Sequence, residues 1–252
     1  MSLSQEIALV TGASRGIGQA IALALGAQGA TVIGTATSDQ GAAAIQTSFA
    51  GQGVKGMGLA LDVTAAGSIE AGLKAIQDAF GAPTILVNNA GITQRSAFAV
   101  TKVAVYRQVM DVNFFGALHC TKVAMASLIE RQGTIIVIES LAAVAPLLGR
   151  TGYCASKHAL HGLFTSLRAE LIGSGVHIMI VCPGFVKTNL QARALGANGR
   201  VTRHPQSTVG RQDSPARVAD AVYRAMLKQK NAGPVAGWKA YLLAIPGGAG
   251  AL

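Results

Sequence analysis

Short apolar runs alternate along the chain with longer segments in which apolar residues recur every three or four positions. The short runs are rich in Ile, Val and Leu and end in glycine or polar residues, as is typical of strands buried in a parallel sheet. They predict six strands, at 7–12, 30–37, 55–63, 84–91, 134–140 and 177–184. The longer segments have the helical period, and they predict helices at 17–25, 39–49, 68–80, 103–129, 153–172 and 215–230.

This alternation favours an α/β fold: a single-domain, Rossmann-type, doubly wound parallel sheet flanked by helices. The length of 252 residues suits one such domain, covering 1–252. Segment 185–214 interrupts the alternation, because it is rich in Gly, Asn, Arg, Gln and Ser. A connection of about 30 residues in a compact domain is more often a lid or binding loop than a simple link. We therefore expect a substrate lid at about 185–214, too polar to pack as core.

Composition narrows the class of protein. With 50% apolar and 13% charged residues, the chain does not resemble a disordered protein. No uncharged apolar run reaches the roughly 18 residues of a membrane span, and no basic region precedes the first apolar stretch, so we expect neither a span nor a signal peptide. The three cysteines, Cys120, Cys154 and Cys182, form no CxxC pair. This pattern indicates a reduced, cytoplasmic protein.

The charge is unevenly distributed. The formal net charge is +10, and nearly all of the basic excess follows residue 100. A basic surface attracts phosphate, nucleic acid or an acidic partner. No nucleic-acid-binding motif is recognisable, so we expect no nucleic-acid partner. His158 and His161 share a predicted helix but lack an apparent third ligand, so we expect no metal site.

A glycine-rich turn follows the first predicted strand. It reads Thr-Gly-Ala-Ser-Arg-Gly-Ile-Gly at 11–18 and leads into a predicted helix. Glycines at this place let the backbone turn tightly and approach a pyrophosphate, which the helix N-terminus then binds. The second strand ends without the Asp or Glu that bonds the ribose 2′-hydroxyl of NAD, since the first acid is Asp39. Arg15 could instead pair with a 2′-phosphate, which favours NADP(H).

A second constellation carries acid–base chemistry. Tyr153 and Lys157 are four residues apart and share one face of a predicted helix. Ser140 ends a predicted strand, where ligands bind in open α/β sheets. Free tyrosine has a pKa of about 10, and a nearby ammonium and a cofactor cation would lower it. Tyr153 could then donate a proton to a ketone oxygen that Ser140 also bonds.

Five motifs, in this order along the chain, resemble those of the short-chain dehydrogenase/reductase family. They are TGxxxGxG at 11–18, NNAG at 88–91, Ser140, YCASK at 153–157 and the Pro-Gly pair at 183–184. The resemblance covers 7 to about 230. It implies a catalytic tetrad of Asn113, Ser140, Tyr153 and Lys157, in which Asn113 holds a water that links Lys157 to solvent. It also implies NADP(H) contacts from Gly12, Ser14, Arg15, Gly16, Ile17, Gly18, Thr37, Asp62, Val63, Asn89, Ala90, Gly91, Tyr153, Lys157, Pro183, Gly184, Val186 and Thr188.

The substrate remains open between two branches of the family. Residues 1–93 resemble the bacterial 3-oxoacyl-[acyl-carrier-protein] reductases, whereas residues from 94 onward are similar to hydroxysteroid-dehydrogenase-type carbonyl reductases. The first resemblance implies a 3-oxoacyl thioester, which the basic lid residues Lys187, Arg193, Arg200, Arg203 and Arg211 would suit. The second implies a bulky neutral ketone bound by Leu190, Leu195, Leu147 and Leu148. A third interpretation is a non-catalytic NADP-binding regulator, which an intact tetrad disfavours.

The resemblance also implies partners. The carrier-protein reductases dock acyl carrier protein on two arginines, of which one matches Arg131 while the other falls on Ser174. The helices at 103–129 and 153–172 imply a homodimer; a homotetramer would need the tail, whose segment 233–241 matches the family poorly.

Glu139 stands where the family usually has Ser or Gly.

Overall fold

The computed structural model describes residues 2–204, 212–232 and 242–245. Seven strands form one fully parallel sheet. They are β1 Ile7–Val10, β2 Thr31–Ala36, β3 Gly56–Ala60, β4 Ile85–Asn88, β5 Thr134–Ile138, β6 His177–Pro183 and β7 Leu242–Ile245. The six predicted strands are confirmed with slightly shorter bounds, and β7 was missed.

The strand order is β3-β2-β1-β4-β5-β6-β7. The sheet therefore grows in both directions from β1, whose Ala8 aligns with Val32 of β2 on one side and Ile85 of β4 on the other. Such a reversal opens a crevice at the carboxyl ends of the central strands, where ligands bind in open α/β sheets. The predicted Rossmann-type, doubly wound fold is confirmed.

Helices cover both faces of the sheet. They are α1 Gly16–Ala27, α2 Asp39–Ala50, α3 Ala66–Phe80, α4 Val103–Met110, α5 Gly116–Glu130, α6 Thr151–Glu170 and α7 Pro215–Ala232. On one face, Ile21 of α1 and Met226 of α7 pack in the core with the strands. On the other, Ile76 of α3, Leu128 of α5 and Phe164 of α6 do so. Apolar side chains of the helices thus cover both faces of the central strands, as the apolar sequences of these strands require.

The predicted helix at 103–129 is three elements. A π-helical turn, Asp111–Phe115, separates α4 from α5. The whole stretch Val103–Glu130 has the length and mean hydropathy, 1.3, of a membrane span, although none was predicted. It is the one such helix in the described part of the chain, and 44% of the tested window is buried inside the protein. Cys120 and Leu128 of this stretch pack in the core.

Segment 185–204 is anchored to the fold at its middle. Leu195 donates its N–H to Thr93 O at 2.8 Å and packs with Val105 and Val109. Ala194 is fully buried. The expectation that the whole segment is too polar to pack as core is therefore wrong here, because Leu195 joins a satellite apolar cluster and Ala194 is buried next to it in sequence. Residues 205–211 of the expected lid, including Arg211, and tail residues 233–241 lie outside the described residues.

Candidate active site

The glycine-rich turn is packed tightly against the end of β4. Gly12 and Gly16 have positive φ angles of 65° and 61°, which favour glycine. A Cβ at Gly18 would overlap Asn89 Nδ2 and lie 2.5 Å from Gly12 O. Asn89 Nδ2 donates to Thr11 O at 2.8 Å and to Gly12 O at 3.1 Å. The turn is thus a preformed cradle in which a dinucleotide can approach the backbone and the N-terminus of α1.

Thr11 connects this turn to the segment after β4. Its hydroxyl donates to Val87 O at 3.1 Å and accepts the N–H groups of Asn89 and Ala90, both at 3.0 Å. A Cβ at Gly91 would lie 3.2 Å from Asn113 Oδ1. The predicted cofactor residues 89–91 therefore form the floor between the glycine turn and the catalytic residues.

The predicted phosphate-binding residues lie at the mouth of this cradle. Arg15 is exposed at the N-cap of α1, and Ser14 and Ile17 flank the same turn. Partial burial and the nearby charge of Arg193 lower the pKa of Arg15. Thr37 is exposed directly after β2. No acidic residue precedes Asp39 at this strand end, which is where NAD-specific sites carry an acid.

The other predicted cofactor contacts have mixed surroundings. Asp62 Oδ1 accepts the N–H and hydroxyl of Thr64 at 2.9 and 2.8 Å. The side chain of Val63 is buried against Gly116, so only its backbone could face an adenine. Thr188 lies beside Gly16, with Cγ2 3.3 Å from where a Cβ would stand. At the end of β6, Pro183 is buried and both Gly184 and Val186 are half-buried.

The structure brings Tyr153, Ser140 and Lys157 together at the carboxyl end of β5. The Ser140 side chain lies beside the Tyr153 phenol and lowers its pKa, and Tyr153 is only 6% exposed. Lys157 Nζ lies 5.9 Å from the centroid of the Tyr153 ring and donates to Ile138 O at 2.8 Å. Ser140 also caps the turn Leu141–Ala143 by accepting Ala142 N–H at 3.2 Å.

Burial is the main influence on the pKa values of Tyr153 and Lys157. Burial raises the pKa of Tyr153, and the Ser140 side chain and the charge of Arg150 offset this only in part. Burial also lowers the pKa of Lys157 to about 8, against the opposing charge of Glu139. In the protein without cofactor, desolvation of the phenolate outweighs the nearby charges. The expected lowering of the tyrosine pKa includes a cofactor cation and stays a prediction.

Asn113 lies in the π-helical turn and is 1% exposed. Its Oδ1 accepts Ile92 N–H at 2.8 Å, while Nδ2 donates to Ile92 O and Ser156 Oγ, both at 2.9 Å. The side chain thus fixes the segment after β4 to α6, three residues along from Tyr153. Sequence reasoning missed this positioning role, and π-helical turns are frequent at functional sites.

Two further polar residues near the site escaped the sequence analysis of function. Glu139, noted only as unusual, is 4% exposed, and its Oε2 lies 3.0 Å from His161 Nδ1. Arg150 is 7% exposed and precedes α6. An acid directly after an apolar strand was a readable signal for Glu139, whereas nothing in the sequence marks Arg150 as buried.

Known proteins share this architecture. The sequence pattern of the short chain dehydrogenase family matches residues 6–198. The 3-oxoacyl-[acyl-carrier-protein] reductase of Vibrio cholerae is 40% identical over 223 residues, which cover 88% of this chain and 90% of the relative. Its namesake in Escherichia coli is 39% identical over the same coverage. These alignments extend far beyond residue 93, so the resemblance to these reductases is not confined to the N-terminal part of the chain.

Solved structures agree with these relatives. An alcohol dehydrogenase from Thermococcus sibiricus, complexed with 5-hydroxy-NADP, superposes with a TM-score of 0.80 at 26% identity and covers 96% of both chains. A short-chain dehydrogenase from Streptomyces avermitilis has the same TM-score at 31% identity, covering 96% of this chain and 89% of its own. With the glycine cradle and the Ser-Tyr-Lys cluster at one sheet edge, the chain belongs to the short-chain dehydrogenase family of nicotinamide-dependent oxidoreductases.

Proposed function

We propose that this protein is an NADP(H)-dependent reductase of 3-oxoacyl thioesters, with acyl carrier protein as the natural bearer of the acyl chain. The observation that carries the proposal is the buried Tyr153 phenol, adjacent to Ser140 and flanked by Lys157, beside a dinucleotide cradle. The substrate class follows from the curated relatives, which are 3-oxoacyl-[acyl-carrier-protein] reductases at about 40% identity.

The residues of the site suit ketone reduction. When bound, the nicotinamide supplies a hydride to the carbonyl carbon. Tyr153 donates its phenolic proton to the carbonyl oxygen, which Ser140 holds by a hydrogen bond. The positive charge of Lys157 stabilises the phenolate that remains. One hydride and one proton thus convert the ketone to a secondary alcohol, and solvent returns the proton to Tyr153.

The preference for NADP(H) is supported by charge at the cofactor cradle. Arg15 and Arg193 are close enough for their charges to interact. Among the described residues neither forms a salt bridge with an acid. Two unpaired guanidinium groups beside the expected ribose site would bind a 2′-phosphate through charge-assisted hydrogen bonds. They have no comparable partner on NADH.

The structure weakens the alternative of a bulky neutral ketone. Leu195 is committed to the satellite cluster with Val105 and Val109, so it is not free to bind a ligand. Leu148 is fully exposed rather than part of an enclosed wall. Two of the four leucines expected for that ketone are therefore unsuited to it. The close assembly of all four tetrad residues also argues against a non-catalytic regulator.

Partner surfaces are compatible with the proposal. Arg131 is exposed at the end of α5 and available to an acidic carrier protein, whereas Ser174 bonds Leu171 O at 2.7 Å and offers no charge. A groove between α5 and α6 exposes an apolar set that would suit a homodimer; it is lined by Leu118, Met125, Leu163 and Leu167. All three cysteines are free thiols, which supports a cytoplasmic location.

NADPH oxidation across a substrate panel tests the function. The panel contains a 3-oxoacyl chain on acyl carrier protein, the same chain on N-acetylcysteamine, a bulky cyclic ketone and a small aldehyde. We expect the highest kcat/KM with the carrier-bound chain. We also expect salt to weaken that reaction more than the N-acetylcysteamine reaction, because salt screens exposed charge contacts. Turnover of the cyclic ketone without the thioesters would contradict the proposal.

A further inference from the structure

Two arginines lie in the wall beside Tyr153, outside the tetrad and the cofactor cradle. Arg150 occupies the N-cap position of α6, three residues before Tyr153, and is 7% exposed. Its Nη1 donates to Thr93 Oγ1 at 2.9 Å, and its Nη2 donates to Gln191 Oε1 at 2.5 Å. A buried cation therefore lies next to the proton donor, held by neutral oxygens alone.

Arg95 lies in the segment after β4 and is the second arginine, close to Arg150. It is two residues beyond Thr93, and the residue between them pairs with Leu195 in a β-bridge, so the side chains of Thr93 and Arg95 point to the same side. Arg95 Nη2 donates to His204 O at 2.5 Å. Its Nε and Nη1 are buried and have no hydrogen-bond partner among the described residues. The N–H groups at Nε and Nη1 of Arg95 are thus able to donate to a ligand oxygen.

The two guanidinium groups are neighbours. Burial lowers the pKa of Arg150, and the charge of Arg95 lowers it further. In the other direction, the charge of Arg150 lowers the pKa of Tyr153 against the effect of burial. These effects place Arg95 within electrostatic reach of Arg150, and Arg150 within reach of Tyr153.

No Asp or Glu side chain in the described part of the chain neutralises this pair. All 11 Asp and Glu residues of the sequence lie in the described part, and the salt bridges there join none of them to Arg95 or Arg150. Residues 205–211, 233–241 and 246–252 contain no Asp or Glu. A buried charge without a counterion is costly. An anion that enters with the substrate would remove that cost.

Two of the three oxygens that bond these arginines come from the expected lid, while the third is Thr93 Oγ1. The two from the lid are the Gln191 side-chain oxygen and the His204 carbonyl. A carboxylate that took their place would form charge-assisted bonds, which are about twice as strong as neutral ones. From the unpaired donors, the missing counterion and the place beside Tyr153, we propose that Arg95 and Arg150 form a carboxylate subsite. The favoured substrate is then a 3-oxoacyl thioester whose chain ends in a carboxylate.

This inference rests on the proposed function for its thioester, and two matched substrates test it. They are the N-acetylcysteamine thioester of a 3-oxo chain ending in a free carboxylate and the methyl ester of that compound. Neither carries a phosphate, so a preference reports on the carboxylate alone. We expect the wild type to prefer the free carboxylate by at least about tenfold in kcat/KM, the size of one charge-assisted hydrogen bond.

In Arg150→Gln and in Arg95→Gln the ratio of acid to ester kcat/KM should fall by about tenfold, toward equal turnover of the two substrates. The ratio is compared within each variant, so a general loss of turnover cancels. Arg95→Lys keeps the charge and should retain part of the preference. Arg107→Gln is the matched control, because it removes the same charge from an exposed position on α4 and should change neither reaction. Having two independent variants protects the test against misfolding of one.

A binding measurement separates this inference from the proposed function. Glutarate should raise the melting temperature of the wild type, dimethyl glutarate should not, and the shift should disappear in both Gln variants. Equal turnover of acid and ester would overturn the subsite and leave the thioester activity intact. If neither thioester were reduced, the proposed function would fail, and the glutarate shift alone would decide whether the carboxylate subsite exists.

Discussion

Glu139 Oε2 lies 3.0 Å from His161 Nδ1, directly behind the catalytic lysine. The carboxylate also accepts the Cys182 thiol at 3.5 Å, while its Oε1 is buried without a partner. Lys157 is one helical turn before His161 and bonds the carbonyl of Ile138, the residue before Glu139. The acid therefore joins β5, β6 and α6 at the point where the lysine is anchored.

The first prediction concerns stability against pH. Burial raises the pKa of Glu139 above its ordinary value of 4.5, and its bonds to His161 and Cys182 offset this only in part. Between 4.5 and the raised value, the folded protein binds more protons than the unfolded chain, so stability falls as pH rises. Relative to Glu139→Gln, the wild type should lose up to about 1.4 kcal/mol per pH unit within that window.

Urea unfolding at intervals from pH 4.5 to 8 measures this difference. Glu170→Gln is the matched control, since it removes an exposed carboxylate from the end of α6 and should leave the pH dependence unchanged. A constant gap between wild type and Glu139→Gln across the range would show that Glu139 titrates as it does in the unfolded chain.

The second prediction concerns the catalytic lysine. Burial lowers the pKa of Lys157 to about 8, and the charge of Glu139 is the main group that keeps it from falling further. In Glu139→Gln this support is lost, so Lys157 should titrate below about 8. A ¹³C-lysine NMR titration of the cofactor-free protein follows its ε-carbon, which Lys157→Arg identifies by its absence. An unshifted midpoint would mean that the two charges do not interact.

The third prediction concerns proton donation. Tyr153→Phe keeps the ring and removes the phenolic hydroxyl beside Ser140, so turnover should fall by about 10²–10⁴-fold, the usual size of general acid catalysis. NADPH affinity, measured by fluorescence, should stay within a few fold. Tyr106→Phe is the matched control: its hydroxyl pairs with Thr151 Oγ1 at 2.8 Å, away from the tetrad. Near-normal turnover in Tyr153→Phe would require another proton donor.

The sequence made the central sheet predictable because its strands are continuous apolar runs closed by glycine or polar residues. It could not reveal β7, since LLAI at 242–245 is only four residues long and stands among prolines and glycines. The π-helical turn was equally hidden, because Asp111–Phe115 reads as a continuation of the neighbouring helices. The spacing of apolar residues identifies a helical stretch, but it does not show where a π-helical turn adds a residue to the ordinary α-helical turn.

The site divides in the same way. Motif order placed Ser140, Tyr153 and Lys157 together, and the structure agrees. The Glu139–His161 pair joins residues 22 positions apart on different elements, which no local pattern encodes. The sequence shows which charges lie near Tyr153 but not how deeply its phenol is buried, and burial raises the pKa of Tyr153 in the protein without cofactor.

The fourth prediction concerns cofactor choice. The wild type should bind NADPH at least about tenfold more tightly than NADH, because one charge-assisted arginine–phosphate contact contributes roughly 1.5–3 kcal/mol. Arg15→Ala should erase most of this preference by weakening NADPH alone. Arg193→Ala should reduce it less, since Arg193 comes from the lid. Arg107→Ala, on the exposed face of α4, is the control. Equal affinities in the wild type would contradict the assignment of Arg15.

The fifth prediction compares two glycine substitutions. A Cβ at Gly18 would overlap the Asn89 amide and approach Gly12 O to 2.5 Å, where backbone cannot give way cheaply. Gly18→Ala should therefore cost about 1–3 kcal/mol of stability, the usual size of overpacking. Because the strain falls on the cradle, NADPH affinity should also drop.

Gly162 is the counterpart in the middle of α6, where a new Cβ would meet no atom within 4 Å. Gly162→Ala should stabilise the protein by roughly 0.5–1 kcal/mol, because alanine loses less conformational entropy in a helix. Its NADPH affinity should equal that of the wild type. Urea unfolding and a fluorescence titration of both variants measure the two effects. If Gly18→Ala were as stable as Gly162→Ala and bound NADPH as tightly, the close approach of Asn89 to the glycine turn would be refuted.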